Sequence, residues 1–212
     1  MTPPKSFILQ KFTIIALLLL CQVVIALGQG GPAGIGTSSE NVLWLRSDRG
    51  TSTTVNEGSV NQWQDISGND NHANQPTLAK RPTYATSSIN GFPALRFTGN
   101  NVNLVVNDND NLDNTTGFTL FVVAQPDNID EKPRGLLSKR VGPGNQAAYS
   151  FFSYTGSNLY LDAPTRMNGT TPADNTPQIF AAVFNGNDPD FRSRIFQNGS
   201  QTGWANAGSI SS

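Results

Sequence analysis

Hydrophobic residues follow two different patterns along this chain. Between Ile14 and Leu27 they are nearly unbroken, with Gln22 the one interruption. Past Glu40 they come in short runs, often alternating with polar residues and separated by Gly, Pro, Asn and Asp. Runs of that kind predict β-strands bounded by turns. The expected strands are Val42 to Arg46, Ala94 to Thr98, Asn103 to Val106, Gly117 to Gln125, Arg134 to Lys139, Ala148 to Thr155, Asn158 to Asp162, Gln178 to Asn185, and Phe191 to Gln197. No window of a dozen residues carries a helical stripe, so the expected fold is all-β, a sandwich or barrel of antiparallel sheets. Within Gly117 to Gln125, Phe118, Leu120 and Val122 alternate with Phe121 and Val123. A strand apolar on both sides is expected to be buried on both.

The N-terminal run reads as a secretory signal peptide, because Lys5 and Lys11 precede an apolar core too short and too interrupted to span a bilayer. Ala26 and Gly28 supply the small residues that cleavage requires, which places the mature start at Gln29. The expected organisation is a signal-peptide helix over residues 1–28, a Gly/Ser-rich linker over 29–40 and one domain over 41–212. Cleavage removes the only cysteine, Cys21, so the mature chain depends on its core and not on disulfides. It also removes Lys5 and Lys11, which takes the formal net charge from −1 to −3. Neither nucleic acid nor an anionic membrane surface is an expected partner. No stable membrane insertion is expected once the leader is gone.

The candidate chemistry is sparse. Glu40, Glu57 and Glu131 are the only glutamates, and all fall in expected loops or linker, so the two facing carboxylates of a glycoside hydrolase are not in sight. His72 is the only histidine, which leaves no base for a nucleophile elsewhere and no ligand set for zinc. Asp65, in Trp63-Gln-Asp-Ile-Ser-Gly-Asn69, is expected to accept bonds from backbone N–H groups and to fix a tight turn over Trp63. Asp108, Asp110 and Asp113 alternate with Asn in one loop; they read either as calcium ligands or as a solvated acidic loop.

Two hairpins stand out. One turns at Asn198-Gly199, the strongest short-range hairpin signal. The other, Tyr149 to Asp162, is expected to turn at Gly156-Ser157, pairing Tyr154 with Leu159 and Phe152 with Leu161. That register gathers Tyr149, Phe151 and Tyr160 on the opposite face beside Asp162. Rings that stack on sugar faces next to a carboxylate that accepts hydroxyls make a candidate carbohydrate site.

Several segments, in order, resemble the laminin-G-like, concanavalin A-like jelly-roll family, in the form common in surface proteins of Bacteroidetes-type bacteria. They are Asn41-Val-Leu-Trp-Leu-Arg-Ser-Asp48, Trp63-Gln-Asp-Ile-Ser-Gly-Asn-Asp-Asn-His-Ala73, Arg81-Pro-Thr-Tyr84 and Asn90-Gly-Phe-Pro-Ala-Leu-Arg-Phe-Thr-Gly99. Phe118-Thr-Leu-Phe-Val-Val-Ala124, Gly135-Leu-Leu-Ser-Lys139 and Ile195-Phe-Gln-Asn-Gly199 continue the series. The resemblance implies an antiparallel two-sheet jelly-roll sandwich with calcium at its rim. Family members continue with further strands where this chain ends at Ile210-Ser-Ser, so the domain is expected to be incomplete at its C-terminus. The fold hosts lectins, glucanases and adhesion domains alike. The expected function is a secreted or bacterial cell-surface, non-catalytic module that binds polysaccharide or glycoprotein glycan. The alternatives are a structural or adhesive domain without sugar binding, and a fragment of a glycoside hydrolase.

Overall fold

The structure, a computed structural model, describes residues 31, 39–99, 101–127, 133–139, 149–154, 158–163, 165–190 and 192–206. The expected leader, most of the linker, the Gly156-Ser157 turn and the segment after 206 lie outside these residues. Among the described residues the fold is all-β, and no helix is long and apolar enough to cross a membrane.

In chain order the first strands are β1 (Gln62–Trp63), β2 (Ala73–Asn74), β3 (Thr83–Ile89), β4 (Phe92–Arg96), β5 (Val105–Val106) and β6 (Gly117–Ala124). They are followed by β7 (Arg134–Lys139), β8 (Tyr149–Tyr154), β9 (Asn158–Asp162), β10 (Arg166–Asn168), β11 (Gln178–Asn185), β12 (Ser193–Gln197) and β13 (Ser200–Ala205). The chain divides into two compact units, 1–85 with 94–107, and 86–93 with 108–212.

In the first unit β1, β2 and β5 form a small sheet in that order. Val42 to Arg46, expected as a strand, does not join it. Its polar groups are taken instead by the turn at Asp65: the Trp44 N–H donates to Asp65 Oδ1, Trp44 C=O accepts from the Ile66 N–H, and Asn71 Nδ2 donates to Val42 C=O. An extended backbone satisfied by a turn has no ladder left to offer a neighbouring strand. Between the strands of the hairpin β3–β4, Asn90 (φ 51°) and Gly91 (φ 81°) make a two-residue turn with both residues left-handed. Asn and Gly are the residues that tolerate this conformation.

The second unit contains two four-stranded antiparallel sheets, in the orders β10-β9-β8-β7 and β13-β12-β11-β6. They share one core: Phe151, Leu159, Leu161 and Met167 from the first sheet pack with Phe180, Ala182, Phe184 and Ile195 from the second. Each strand alternates, so only every second residue enters that core. Burying one such Phe, Leu or Ile stabilises by about 1.5–3 kcal/mol. Phe118 extends the cluster, 4.7 Å from the Tyr149 ring and 5.7 Å from that of Phe184. Along the β10 and β13 margin, Gly203 lies against the Asn168 carbonyl, where a Cβ would collide with backbone. Only glycine permits that approach.

Two expectations change here. Phe121 and Val123, expected to be buried, are 73% and 60% exposed, because β6 turns Phe118, Leu120, Val122 and Ala124 toward the core and these two the other way. The register of β8 and β9 is also one residue away from the expected one. Phe151 pairs with Leu161, Phe152 with Tyr160, and Tyr154 with Asn158, which leaves Thr155, Gly156 and Ser157 between the paired ends. The other expected hairpin turns at Asn198 (φ 50°) and Gly199 (φ 81°), with Gln197 opposite Ser200.

Candidate functional site

The register of β8 and β9 decides which side chains can work together. Because Phe151 pairs with Leu161, Tyr149 and Phe151 point into the core, where Phe151 is fully buried. Tyr160 and Asp162 lie on the opposite face. The structure therefore divides the four residues expected to form one sugar site and keeps two of them together. A single-residue slip in pairing moves every side chain of one strand to the other face, which is why the expected grouping fails.

What joins Tyr160 and Asp162 is a different set: Phe152 and Tyr154 from β8, and Arg166 from β10. Phe152 stands directly opposite Tyr160, their rings stacked at 5.7 Å with an interplanar angle of 21°. The Tyr154 ring is 6.5 Å from that of Tyr160. Arg166 faces Asp162 across the β9–β10 pair and binds it with two parallel bonds, Nε to Oδ1 at 2.8 Å and Nη2 to Oδ2 at 2.9 Å. The guanidinium also lies over the Phe152 and Tyr160 rings, 5.4 and 5.9 Å from their centroids. The Asp162 side chain is 2% exposed and that of Arg166 is 43% exposed, so solvent meets the cation of the pair. Hydrogen bonding to Asp162 holds the Arg166 pKa above its already high value. Beside Phe152 on β7 stands Gly135, where an added Cβ would meet nothing within 4 Å. Asn168 flanks Tyr160 on the far strand. Phe152 is buried, at 7% exposure, whereas Tyr154 and Tyr160 are half-buried, so the two tyrosines are the rings that can stack on a sugar while Arg166 donates N–H groups to its oxygens.

Arg166 was not visible as a site residue in the sequence. The available signal was its spacing: Arg166 follows Asp162 by four positions and pairs opposite that carboxylate.

Of the expected calcium ligands, Asp108 and Asp113 come together and Asp110 does not join them. Lys139 Nζ binds Asp108 Oδ1 at 3.0 Å and also pairs with Asp113. Burial opposes the charge on Lys139, but its hydrogen bonds to Asp113 and Asp108 prevail and raise its pKa. Burial likewise raises the pKa of the neighbouring Tyr149, whose hydroxyl donates to Leu112 C=O. Asp110 opens a short 3-10 turn, Asp110–Leu112. Among the described residues no group of three or more His, Cys, Asp or Glu side chains could hold a metal ion. The arrangement as it stands does not fit calcium, since an internal ammonium already neutralises two of the three carboxylates.

In the first unit, the expected turn at Asp65 is present in full. Asp65 is buried; its Oδ1 accepts from the Trp44 and Ser67 N–H groups, and its Oδ2 from Ser67 Oγ and the Asn71 N–H. His72 Nδ1 accepts from the Asp65 N–H, and Trp63 Nε1 donates to Arg46 C=O. Every one of these contacts serves the turn.

Comparisons with known proteins return nothing: no family model, no curated protein and no solved structure matches this chain.

Proposed function

We propose that the chain is a secreted or cell-surface carbohydrate-binding module of jelly-roll type, with no catalysis of its own. The observation that carries the reading is the face of the β7–β10 sheet turned away from the core, where the half-buried rings of Tyr154 and Tyr160, with Phe152 buried beside them, flank the Asp162–Arg166 pair. Polysaccharide or glycoprotein glycan is the partner such a shallow surface suits, because ring faces and hydroxyls are what it can engage. Among the described residues Asp162 is the one carboxylate carried on a strand, and both of its oxygens accept hydrogen bonds from Arg166. Export is supported by the N-terminal pattern alone; exported protein beginning at Gln29 is its check.

Replacing Tyr160 with alanine is expected to weaken binding to a polysaccharide recognised by the wild type roughly two- to tenfold, the equivalent of about 0.5–1.5 kcal/mol of stacking. Its melting temperature should stay close to that of the wild type, since Leu159 and Leu161 on either side carry the packing. Affinity electrophoresis and thermal melting measure the two effects. A variant that keeps its affinity would remove Tyr160 from the site, and a wild type that binds no glycan on a broad array would end the reading.

Calcium belongs to this proposal only through displacement of Lys139. Lys139→Gln frees Asp108 and Asp113, so calcium is expected to raise the melting temperature of the variant more than that of the wild type. Saturation a hundredfold above Kd stabilises by about 2.7 kcal/mol. Equal melting with calcium and with chelator in both proteins retires the ion.

A second reading, adhesion without sugar, is favoured by a different surface. Phe121, Val123, Ile179 and Trp204 are all more than half exposed on the outer face of the β13-β12-β11-β6 sheet. Val123 and Ile179 are direct cross-strand partners, and a hollow of about 260 Å³ opens between them and Ile89, Asn90, Pro177 and Asn198. Contiguous exposed apolar surface of that kind marks contact with other molecules.

A further inference from the structure

Arg166 carries more chemistry than the pairing with Asp162 consumes. A guanidinium has five N–H groups in a rigid plane and two edges that can each grip a carboxylate with two bonds. Asp162 occupies the Nε–Nη2 edge, at 2.8 and 2.9 Å. Among the described residues nothing bonds to Nη1, so the Nη1–Nη2 edge is open.

Three features fix that edge in place and present it to a ligand. The bidentate pair and the two rings beneath it hold the guanidinium plane over Phe152 and Tyr160. The exposed member of the pair is the cation, since Arg166 is 43% exposed and Asp162 only 2%. Among the described residues of these four strands there is no second carboxylate to repel an incoming anion, and the flanking side chains on this face, Ser150, Asn158 and Asn168, are neutral.

We propose that this face selects acidic sugars, a uronate carboxylate docking on the Nη1–Nη2 edge of Arg166 while the sugar ring lies along Tyr160 and Tyr154. The inference rests on the glycan-binding reading above and names its substrate class. A hydroxyl can occupy the same edge, but it accepts without charge assistance and without the matching fork. A carboxylate accepts two parallel charge-assisted bonds, which are about twice as strong. Asp162 offsets part of the pull, and solvent screens the rest, so the advantage is moderate. It amounts to about five- to tenfold in affinity.

The test uses the full chain with alginate, polygalacturonate and hyaluronan, each beside its own carboxyl-reduced counterpart, and with dextran sulfate as a polymer of bare charge. The expected result is that at least one uronate polymer binds about five- to tenfold more tightly than its reduced form at low salt, with the margin shrinking as salt is added. Arg166→Gln should abolish the margin, and Arg166→Lys, which keeps the charge but loses the fork, should abolish most of it; melting curves of both establish that they fold. Lysine suffices as a folded replacement should glutamine fail. Equal binding of reduced and unreduced polymers overturns the preference and leaves glycan binding standing. So does a margin that survives Arg166→Lys, or dextran sulfate binding as tight as the best uronate. Absence of binding to every polymer and to a broad neutral array removes the glycan reading and this inference together.

Discussion

Replacing Phe151 with alanine is expected to cost about 3–5 kcal/mol of stability, measured as a fall in the urea midpoint at unchanged slope. The ring is fully buried and sits among Leu161, Leu159 and Phe180, side chains of both sheets, so truncation leaves a cavity that neither sheet can close without disturbing the other. The adjacent residue should behave differently. Phe152, 7% exposed, lies on the opposite face beneath Arg166, and its loss removes the ring against which Tyr160 and Arg166 pack rather than a member of the cluster between the two sheets. Phe151→Ala should therefore be the less stable protein, and Phe152→Ala the weaker binder. The reverse assignment, with Phe151→Ala stable but deficient in binding, would falsify the register on which the site is built.

A comparable loss, also about 3–5 kcal/mol, is expected for Asp65→Ala, in the first unit. The carboxylate accepts four bonds, at 2.8 and 2.9 Å on Oδ1 and at 2.7 and 3.1 Å on Oδ2. Three of the donors are backbone N–H groups that alanine would leave without partners, at about 1–3 kcal/mol for each that water cannot reach. Asp65→Asn, which keeps the shape but turns one acceptor into a donor, should fall between alanine and wild type. Hydrogen exchange at Trp44, Ser67 and Asn71 separates local loosening from global unfolding: these amides should exchange first. If they remain protected in Asp65→Ala and melting is unchanged, the turn is held by something other than the carboxylate.

Much of the architecture is written in local chemistry. Alternation within Arg134–Lys139, Asn158–Asp162 and Gln178–Asn185 predicts these strands with the bounds the structure shows, because a pleated strand with one buried face needs only that pattern and a turn residue at each end. The Asn198-Gly199 turn is legible for the same reason: two left-handed residues in succession are a property of the dipeptide. So is the turn at Asp65, whose acceptor and donors lie within a few residues of one another apart from the Trp44 N–H.

The candidate site depended on what no local pattern contains. In Tyr149-Ser-Phe-Phe-Ser-Tyr154 aromatic residues fall on both parities, so alternation cannot say which face meets the core; packing of Phe151 against Phe180 on β11 does. The same ambiguity in β6 hid the exposure of Phe121 and Val123, since an apolar residue looks alike in sequence whether covered or bare. Lys139 reached Asp108 and Asp113 from about thirty residues away, turning a candidate cation site into an internal ion cluster. Composition and alternation thus determined an all-β chain with its turns. Which ring is core and which is platform, and which carboxylate finds a cation, was decided by strand register and by contacts between sheets, because burial is a property of neighbours that the chain meets only when folded.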